Sequence, residues 1–279
     1  MTQKEITIVI TSYKSDKKIL SCLYSIGPEY KIIIIENSKN KEFKKNIETK
    51  FLNVTCIVAG ENLGYAKGNN LGLSKVTTKY ALVLNPDSIL ERNTLENFLI
   101  TANRIKNFAI IGPAIQETET TTLQNKSIME VESVKGFAMF LNLEEFRDVG
   151  FFDDNFFIYL EEIDLCKRLR KKNKKIFLDP NILIHHQGGS SHEEQYNFEM
   201  ELSRNWHWMW STFYFTKKHK GFLYALFNVS NKLISAFIKY IFYSLTMKSS
   251  KKLIYKNRMA GLFNSIMGKS SWYRPFNNN

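Results

Sequence analysis

The chain has 279 residues and a mass of 32.6 kDa, which is enough for one large domain or for a domain with an appendage. Hydrophobic residues make up 44% and charged residues 24%, so the chain can bury a core and global disorder is excluded. Its three cysteines are too few and too scattered for a disulfide framework or a zinc cluster, which fits a reducing, cytoplasmic setting. No signal peptide is expected, because Lys4 and Glu5 precede only a short apolar run.

The net charge of +12 is concentrated in the last 78 residues of the chain. Residues 202–279 contain 13 lysines and arginines and no acidic residue, whereas residues 1–201 hold 26 basic and 27 acidic groups. The same segment carries 18 of the 38 aromatic residues. This asymmetry predicts a near-neutral body, residues 1–200, and a basic, aromatic tail, residues 201–279, that meet different partners.

Strand-like and helix-like patterns alternate along the body. Short apolar runs rich in β-branched residues predict strands, and the polar stretches between them have helical spacing. Strands are predicted at 6–11, 31–36, 54–59, 80–84 and 182–184, and helices at 17–25, 41–51, 65–74 and 167–175. The four consecutive isoleucines after Lys31 suit a strand that is covered on both faces. This alternation predicts an α/β fold with a mostly parallel sheet and helices on both faces.

Polar or glycine-rich residues follow each of the first four predicted strands. They are 11–13, 36–38, 60–72 and 85–87. Because sheets of this type bind ligands at the carboxyl ends of their strands, we expect these residues to converge on one site. Simpler explanations exist for two of them: Glu36 could be a solvated strand end, and 60–72 a turn punctuated by glycines.

Among these positions, Asp87 gives the most specific indication of a function. Pro86 fixes the chain directly after a buried strand, which aims the Asp87 carboxylate out of the sheet edge. There it can hold a hard divalent cation together with substrate phosphates. The alternative is structural, because Asp-Ser after a strand is also an ordinary N-cap for the helix that follows.

The second half of the body carries a cluster of acids behind aromatic residues. Glu161, Glu162 and Asp164 follow the run 156–160, and carboxylates next to aromatics can have raised pKa values and act as general bases. In the first turn of a helix the same acids would only complement the helix dipole. Adjacent histidines at 185 and 186 end another strand before a Gly-Gly loop, which favours a ligand role, whereas His192 is expected on the loop surface.

Together these segments resemble the family 2 glycosyltransferases of the GT-A fold, particularly the bacterial rhamnosyltransferase branch. The matching stretches are ITIVITSYKS, IIIIENSKN, ENLGYAKGNNLGL, ALVLNPDSIL, KGFAMFLNLEEFRDVGFFDDNFFIYLEEIDLCKRLRKKNKKIFLDP and ILIHHQGGSS, in the family's order. The resemblance implies a Rossmann-like mixed sheet with a C-terminal amphipathic helical extension. Within the catalytic domain, 1–200, it implies a nucleotide-sugar half, 1–90, and an acceptor half, 91–200.

The activity implied by the resemblance is an inverting sugar transfer from a nucleotide-diphosphate sugar to a hydroxyl acceptor. Residues implied to bind the nucleotide sugar are Thr11, Tyr13, Glu36, Asn37, Asn62, Gly64, Gly68, Asn69 and Asn85. Asp87 and His185 would bind the cofactor, a divalent cation, Mg²⁺ or Mn²⁺. Glu162 would be the general base, with Glu161 and Asp164 in support.

Four positions depart from the family pattern. Glu36 replaces the more usual Asp, which lengthens the contact with the base, and Asn85 stands where many members have a first metal-binding Asp. The pair at 161 and 162 replaces the commoner Glu-Asp, so either glutamate could be the base. The histidines are adjacent, so His186 is the alternative to His185 as the metal ligand.

The tail contains a long apolar stretch, 221–247, that Lys232 and Lys239 interrupt. A membrane span needs about 20 nearly uncharged residues, so an amphipathic helix in the interface of an anionic membrane fits better. We expect aromatic residues at the headgroup level: Trp206, Trp208, Trp210, Trp272 and Tyr273. The alternative is a helical subdomain that packs on the body. A peripheral enzyme on the inner face of the plasma membrane suits a lipid-linked or oligosaccharide acceptor in bacterial surface polysaccharide assembly.

The donor that the NPDS and FFxYxEExDLCxR-like segments favour is dTDP-L-rhamnose. The alternative within the same fold is a UDP-linked galactose, glucose or N-acetylhexosamine. Two further hypotheses come from other classes. A nucleotidyltransferase would also hold a nucleotide and a metal on an α/β sheet, but no basic glycine-rich loop follows the first strand. A nucleic-acid-binding protein would explain the basic tail, but the tail's apolar runs argue against nucleic acid as a partner.

Overall fold

The computed structural model describes residues 5–116, 127–186 and 192–276. The chain divides into two compact units: unit one comprises Met1–Phe152 and Glu162–Glu193, and unit two comprises Asp153–Glu161 and Glu194–Asn279. This division differs from the predicted boundary at residue 200, since the short segment 153–161 belongs with the C-terminal helices. The HHQGGSS loop that follows the last strand lies, from 187 to 191, outside the described residues.

In the described part of unit one, nine strands form a single mixed sheet. The strands are β1 Ile6–Ser12, β2 Lys31–Glu36, β3 Val54–Val58, β4 Tyr80–Leu84, β5 Ser88–Leu90, β6 Ile110–Gln116, β7 Met129–Glu130, β8 Ala138–Asn142 and β9 Ile176–His186. Their order is β3-β2-β1-β4-β8-β6-β9-β5, with β7 on β9. Strands β3, β2, β1 and β4 are parallel, β8 is antiparallel to β4 and β6, and β9 runs parallel to β6.

The helices of this unit are α1 Lys18–Ile26, α2 Lys41–Lys50, α3 Gly64–Leu73, α4 Thr94–Ile105 and α5 Glu161–Lys171. The four parallel strands and α1 to α3 lie within one residue of their predicted bounds. Helix α5 was predicted at 167–175, and that placement is wrong: the helix begins at Glu161 and ends at Lys171. Acidic residues occupy its first turn and basic residues its last, which complements the helix dipole.

Strand β2 is covered on both faces, as its isoleucine run predicts. Ile32 and Ile34 join the main hydrophobic core, whereas Ile33 and Ile35 pack with Ala59 in a separate cluster. Because neighbouring side chains of a strand point to opposite faces, the alternation places one cluster on each side of the sheet. The carboxyl ends of β1, β2 and β4 are therefore held at one rigid sheet edge.

Unit two is built on three helices, α6 Asn197–Lys220, α7 Phe222–Leu245 and α8 Ser249–Ile266. Met209 and Phe213 of α6 pack with Val229 of α7 and Leu262 of α8 in a small core. Helix α8 crosses α6 closely at Gly261, where a Cβ atom would lie 2.1 Å from the carbonyl oxygen of Trp206. Within the described residues, no helix has both the length and the apolar character needed to cross a membrane.

The expected placement of the tail's aromatic residues is partly wrong. Trp206 and Trp210 are buried, and the Trp210 indole donates a hydrogen bond to the Lys269 carbonyl, 3.0 Å away. Tyr273 stacks on Trp206 with ring centroids 5.8 Å apart. Trp208 and Trp272 are exposed. The two buried indoles stand four residues apart, one helical turn, so they face the unit's interior together.

His192 is buried rather than on the loop surface as expected. The next residue, Glu193, donates its backbone N–H to the carbonyl of Lys14, 3.0 Å away, in the loop after β1. This contact draws the end of unit one back onto the sheet edge, which explains why the histidine beside it is enclosed.

The segment 153–161 is held inside unit two by α6. The Asp153 carboxylate accepts hydrogen bonds from Tyr214 at 2.9 Å and Lys218 at 2.7 Å. Phe157 stacks on His207 with centroids 4.3 Å apart, and His207 Nε2 lies 2.9 Å from the Tyr273 carbonyl oxygen. His207 is thus enclosed by aromatic rings at the centre of the unit.

Unit two should lose stability in mild acid through His207. Burial, aided by the nearby Arg274, lowers the pKa of His207 from 6.5 to about 3. Below pH 6.5 the unfolded chain therefore binds a proton that the folded unit does not, and the free energy of unfolding falls by about 1.4 kcal/mol per pH unit. Urea unfolding followed by circular dichroism between about pH 4.5 and pH 7.5 measures this slope.

Two variants isolate the effect. His207→Gln removes the titrating group and should flatten the slope, whereas His185→Gln, at an exposed histidine, should leave the slope unchanged. A wild-type slope that persists in His207→Gln would contradict the assignment to this residue.

Candidate active site

Hydrogen bonds join the loops after β1 and β2 to helix α3 at the sheet edge. The Thr11 hydroxyl donates to Asn69 Oδ1 at 3.0 Å, and Asn37 Nδ2 donates to the carbonyl of Gly64 at 3.1 Å. Asn62 Oδ1 accepts the Gly64 N–H at 3.1 Å and shapes the turn into α3. The structure therefore brings together the residues that follow the first three strands.

Gly68 determines how close α3 comes to β1. A Cβ atom at this position would lie 2.6 Å from Thr11 Cγ2 and 2.9 Å from Thr11 Oγ1. Only glycine permits this approach without displacing Thr11, so Gly68 sets the depth at which α3 presents Asn69 to the sheet edge.

Glu36 organises the loop in which it was expected to contact a nucleotide. Its carboxylate is buried and accepts the backbone N–H groups of Ser38 at 2.6 Å and Asn40 at 2.7 Å. The Ser38 hydroxyl in turn accepts the backbone N–H of Lys14 at 2.8 Å, next to the half-buried Tyr13. Both carboxylate oxygens of Glu36 thus accept hydrogen bonds from the backbone of this loop. Neighbouring residues form the surface of the loop that a ligand could contact.

His186, not His185, lies beside Asp87. The distance from His186 Nε2 to Asp87 Oδ1 is 3.3 Å, and to Asn85 Nδ2 it is 3.4 Å. His185 points the other way, where its Nε2 is 3.1 Å from Glu91 Oε1. Pairing of β9 with β5 places His186 opposite Ser88, and strand alternation then turns His185 to the far side. Of the two histidines that the sequence left open as metal ligand, His186 is therefore the one that lies beside Asp87.

The Asp87 carboxylate is buried without the hydrogen bonds that such a group normally has. Its side chain is 5% exposed, and neither oxygen has a hydrogen-bond partner among the described residues. Burial and the charge of Asp87 raise the pKa of the neighbouring Cys22 thiol, which keeps this sulfur neutral. An anionic oxygen pair facing a histidine fits the donor set of a divalent cation.

Other buried polar atoms at the same sheet edge also lack partners within the described part of the chain. They are Ser12 Oγ, Asn37 Oδ1, Asn69 Nδ2 and Ser88 Oγ. Each unpaired buried group costs about 1–3 kcal/mol, so such a cluster indicates a place that a polar ligand or water fills. The described residues contain no group of three or more His, Cys, Asp or Glu side chains placed around one metal position. A cation on Asp87 would therefore take further ligands from substrate and solvent.

The three acids of α5 have different surroundings. Glu161 is buried, whereas Glu162 is half-exposed and its Cβ and Cγ lie 3.5 Å from the position that a Gly136 Cβ would occupy. Asp164 is fully buried and accepts a hydrogen bond from Arg168 Nε at 2.8 Å. Of the three carboxylates, Glu162 is the one open to a ligand.

Gly136 and Phe137 connect Glu162 to the Asp87 region. The Phe137 carbonyl accepts the backbone N–H of Asn85 at 2.8 Å, and its ring stacks on His186 with centroids 4.7 Å apart. The Tyr65 hydroxyl donates to the Gly136 carbonyl. One short stretch before β8 therefore positions the loop after β4, the histidine and the open glutamate.

Asn70 and Arg168 fix the backbone near Phe152, where the first segment of unit one ends. Asn70 makes two hydrogen bonds to the backbone of Phe152, at 2.8 and 3.0 Å. Arg168 donates to the Val149 carbonyl at 2.9 Å and to the Phe151 carbonyl. The role of Asp164 follows from this pairing: it orients Arg168, which fixes the loop.

Backbone strain is concentrated directly before the acid pair. Tyr159 and Leu160 have φ values of 74° and 70°, in the left-handed region that bulky residues avoid. Such residues cost about 1–2 kcal/mol each. Burial also raises the pKa of the Tyr159 hydroxyl to about 12, so it stays protonated. This turn sets the point at which α5 begins.

Sequence reasoning missed several residues that build the site. Tyr65, Asn70, Gly136, Phe137 and Arg168 fall in stretches that matched the family pattern, but none was assigned a role. Their contacts go to backbone groups of distant segments, and sequence spacing carries no signal for such contacts. The glycine-phenylalanine pair directly before a buried strand was the one local clue.

A mixed sheet with polar loops gathered at the carboxyl ends of parallel strands, beside a buried carboxylate, agrees with the GT-A fold expected from the sequence. The chain belongs to glycosyl transferase family 2, whose profile matches residues 7–166, more than half of its length. Membership of this family favours sugar transfer over the two hypotheses from other classes.

Named relatives are distant. The low-salt glycan biosynthesis hexosyltransferase Agl10 of Haloferax volcanii is 26% identical over 198 residues, which cover 62% of this chain and 64% of that protein. The chain thus spans less than two thirds of Agl10. Rhamnosyltransferase WbbL of Escherichia coli strain K12 is 25% identical over 239 residues, covering 72% of this chain and 88% of WbbL.

Among solved structures, the mannosyltransferase PcManGT from Pyrobaculum calidifontis, in complex with GDP-Man and Mn²⁺, has the same fold. The TM-score is 0.60 at 11% identity, over 95% of this chain and 88% of that chain. At this identity the likeness concerns the fold alone.

Replacing the buried Asp87 carboxylate should stabilise the protein when no cation is present. In buffer with EDTA, Asp87→Asn should raise the free energy of unfolding by about 1 kcal/mol, because a neutral amide is less costly to bury than a carboxylate that accepts no hydrogen bond. Thermal unfolding measures the change. Asp148→Asn, at an exposed aspartate, should change nothing. A lower unfolding temperature for Asp87→Asn would mean that the protein itself satisfies this carboxylate.

Proposed function

We propose that this enzyme transfers a sugar, with inversion, from a nucleotide-diphosphate donor to a hydroxyl of an acceptor saccharide. The observation that carries the proposal is the buried Asp87 carboxylate, which has no hydrogen bond in the described chain and faces His186. A divalent cation supplies the positive charge that this carboxylate lacks, and the nucleotide diphosphate supplies further oxygen ligands to the cation.

Asp87 and His186 are the residues proposed to hold the cation, Mg²⁺ or Mn²⁺. When bound, this cation offsets the negative charge that develops on the leaving diphosphate. A single carboxylate with one imidazole is a sparse protein ligand set. The affinity for cation should therefore depend on the nucleotide, which contributes the phosphate oxygens. PcManGT, with its bound GDP-Man and Mn²⁺, is a precedent in the same fold.

The nucleotide sugar is proposed to lie along the loops after β1 and β2 and the start of α3. The unpaired atoms there, on Ser12, Asn37 and Asn69, offer donors and acceptors for a ribose or a phosphate. Tyr13, half-buried on the loop after β1, can cover the base, while Glu36 keeps the opposite loop in shape through its two backbone hydrogen bonds.

Glu162 is proposed as the general base. The acceptor hydroxyl must lose its proton as it attacks the anomeric carbon, and one carboxylate opposite the leaving group suffices without a covalent enzyme intermediate. Glu162 is half-exposed, whereas Glu161 is buried and Asp164 is paired with Arg168. These differences support Glu162 over the other two acids as the proton acceptor.

L-Rhamnose from dTDP-L-rhamnose is the proposed donor sugar. Support comes from the NPDS and FFxYxEExDLCxR-like segments and from similarity to the rhamnosyltransferase WbbL over 72% of the chain. The proposed acceptor is a lipid-linked saccharide of a bacterial surface polysaccharide, O-antigen or capsule, met at the anionic inner face of the plasma membrane. Support for this location is the basic, acid-free composition of residues 202–279.

Nucleotide binding should be selective and dependent on cation. Calorimetric titration with dTDP, UDP and GDP, each with Mn²⁺ and then with EDTA, should give binding strongest for dTDP and weakened at least about tenfold by EDTA. Asp87→Ala should abolish the difference between Mn²⁺ and EDTA, and Asp148→Ala should preserve it. A preference for UDP would move the donor to galactose, glucose or an N-acetylhexosamine. Absence of binding for all three nucleotides would contradict the proposed site.

Removal of the proposed base should affect turnover and not binding. Glu162→Gln keeps size and hydrogen bonding but loses the proton acceptor, so kcat should fall about 10²–10⁴-fold while the Kd for nucleotide stays unchanged. The measurement is sugar transfer from the nucleotide sugar that the binding panel selects.

Two matched variants complete this test. Glu161→Gln should keep kcat within about tenfold, and Glu144→Gln, at an exposed glutamate, should be neutral. If Glu161→Gln loses turnover and Glu162→Gln keeps it, the base is the neighbouring residue.

A further inference from the structure

Helix α7 has an apolar face that no described residue of unit two covers. Six side chains spaced three to seven residues apart along the whole helix form it, and we name them the α7 stripe: Leu223, Phe227, Ile234, Ile238, Ile241 and Leu245. Leu223 is 80% exposed, Phe227 81% and Leu245 78%, and the other three are between 42% and 60% exposed. Phe237, next to the stripe, is 54% exposed.

The opposite side of α7 is fully used. Ala225, Val229 and Ala236 are buried against α6 and α8, and small residues at these positions let the helices approach closely. Unit two therefore has its own core and does not need the stripe for folding. A contiguous apolar surface of this size on a folded unit marks an interaction site.

Charge decides which partner fits the stripe. Residues 202–279 contain 13 basic residues and no acidic one, so every charged side chain of α7 and α8 is basic. A second copy of the chain would bring the same positive charge to the interface and be repelled. An anionic lipid surface offers both what the stripe needs, an apolar phase, and what the lysines need, phosphate groups.

The lysines stand where headgroups would be. Lys232 and Lys239 lie on a different face of α7 from the stripe, and Lys239 extends over the Tyr255 ring of α8 at 5.4 Å. From α8, Lys251 and Lys252 lie over Tyr243 and Tyr240 of α7, at 5.4 and 5.7 Å. In each pair the ammonium group itself lies over the ring, and Lys239 and Lys251 remain exposed, so a phosphate can approach them from the solvent side.

We propose that α7 lies flat in the interface of an anionic bilayer, with the α7 stripe immersed among the acyl chains and the lysines of α7 and α8 at the phosphates. The stripe runs from the first to the last turn of a helix about 36 Å long. If the helix were inserted tilted or end-on, part of the stripe would remain in water. This inference rests on the proposed membrane location and specifies its surface: α7, rather than the tryptophans of α6, makes the contact.

The test compares two double variants of the full-length protein. Phe227→Ser with Ile238→Ser removes the centre of the stripe. Leu52→Ser with Ile100→Ser makes equivalent changes at exposed apolar residues of unit one, which are 96% and 64% exposed. Both should keep wild-type helix content and unfolding temperature, because none of the four side chains is buried.

Binding is measured by co-sedimentation with vesicles of phosphatidylcholine containing phosphatidylglycerol, and with vesicles of phosphatidylcholine alone. We expect wild type and the unit-one variant to bind the anionic vesicles equally, with affinity falling as salt rises, and the stripe variant to bind at least about tenfold more weakly. Equal binding by the stripe variant would overturn the proposal.

A second copy as the occupant has its own signature. Sedimentation equilibrium without lipid should give a monomer for wild type, and a wild-type dimer that the stripe variant dissociates would overturn the proposal in favour of self-association. Vesicle binding needs neither nucleotide nor acceptor, and Glu162→Gln should retain it. The membrane contact and the proposed chemistry can therefore fail separately.

Discussion

The structure of the candidate site depends on one buried carboxylate that the described chain does not satisfy. Asp87 is 5% exposed and has no hydrogen-bond partner among the described residues, yet its surroundings are ordered around it. The Phe137 carbonyl fixes the backbone of Asn85, the Phe137 ring supports His186, and Cys22 behind the loop stays neutral. A carboxylate buried without hydrogen bonds is costly to the folded state, so its presence in an ordered frame supports the proposed role of Asp87 in holding a cation.

Two other buried carboxylates of unit one do have hydrogen-bond partners. Glu36 accepts two backbone N–H groups and shapes a loop, and Asp164 holds Arg168, which fixes another loop through two carbonyl groups. These two acids build the frame. Asp87 differs from these two acids because its oxygens accept no hydrogen bond among the described residues, and Glu162 differs because it is half-exposed; these are the two acids proposed to take part in the chemistry.

The sequence predicted the parallel half of the sheet because each of its strands is a short β-branched run with a polar loop behind it. Strands β5, β6, β7 and β8 were not predicted; β5 and β7 have only three and two residues, too few for a periodic pattern. The choice between the two histidines needed the pairing of Ser88 with His186, which no local pattern encodes.

The beginning of α5 at Glu161 could not be predicted from the sequence, because two residues with positive φ, Tyr159 and Leu160, precede it without a capping signal. The burial of Trp206 and Trp210 could have been predicted from the sequence, because residues one helical turn apart lie on the same face of a helix.

In unit two, the side chains that build the core can be compared in the same way with those that stay exposed on α7. Its core is made mainly of aliphatic residues around Phe213, and small residues such as Ala225 and Gly261 let α6, α7 and α8 approach closely. Closure of that core uses one face of α7 and leaves the α7 stripe in water, at a cost that grows with each exposed apolar side chain. Selection for solubility alone would have placed acids and lysines on that face. The segment instead carries lysines on the other faces and no acid anywhere in residues 202–279, which would repel an anionic surface. The proposed contact with an anionic bilayer accounts for both features, because the acyl chains would cover the α7 stripe and the lipid phosphates would meet the lysines.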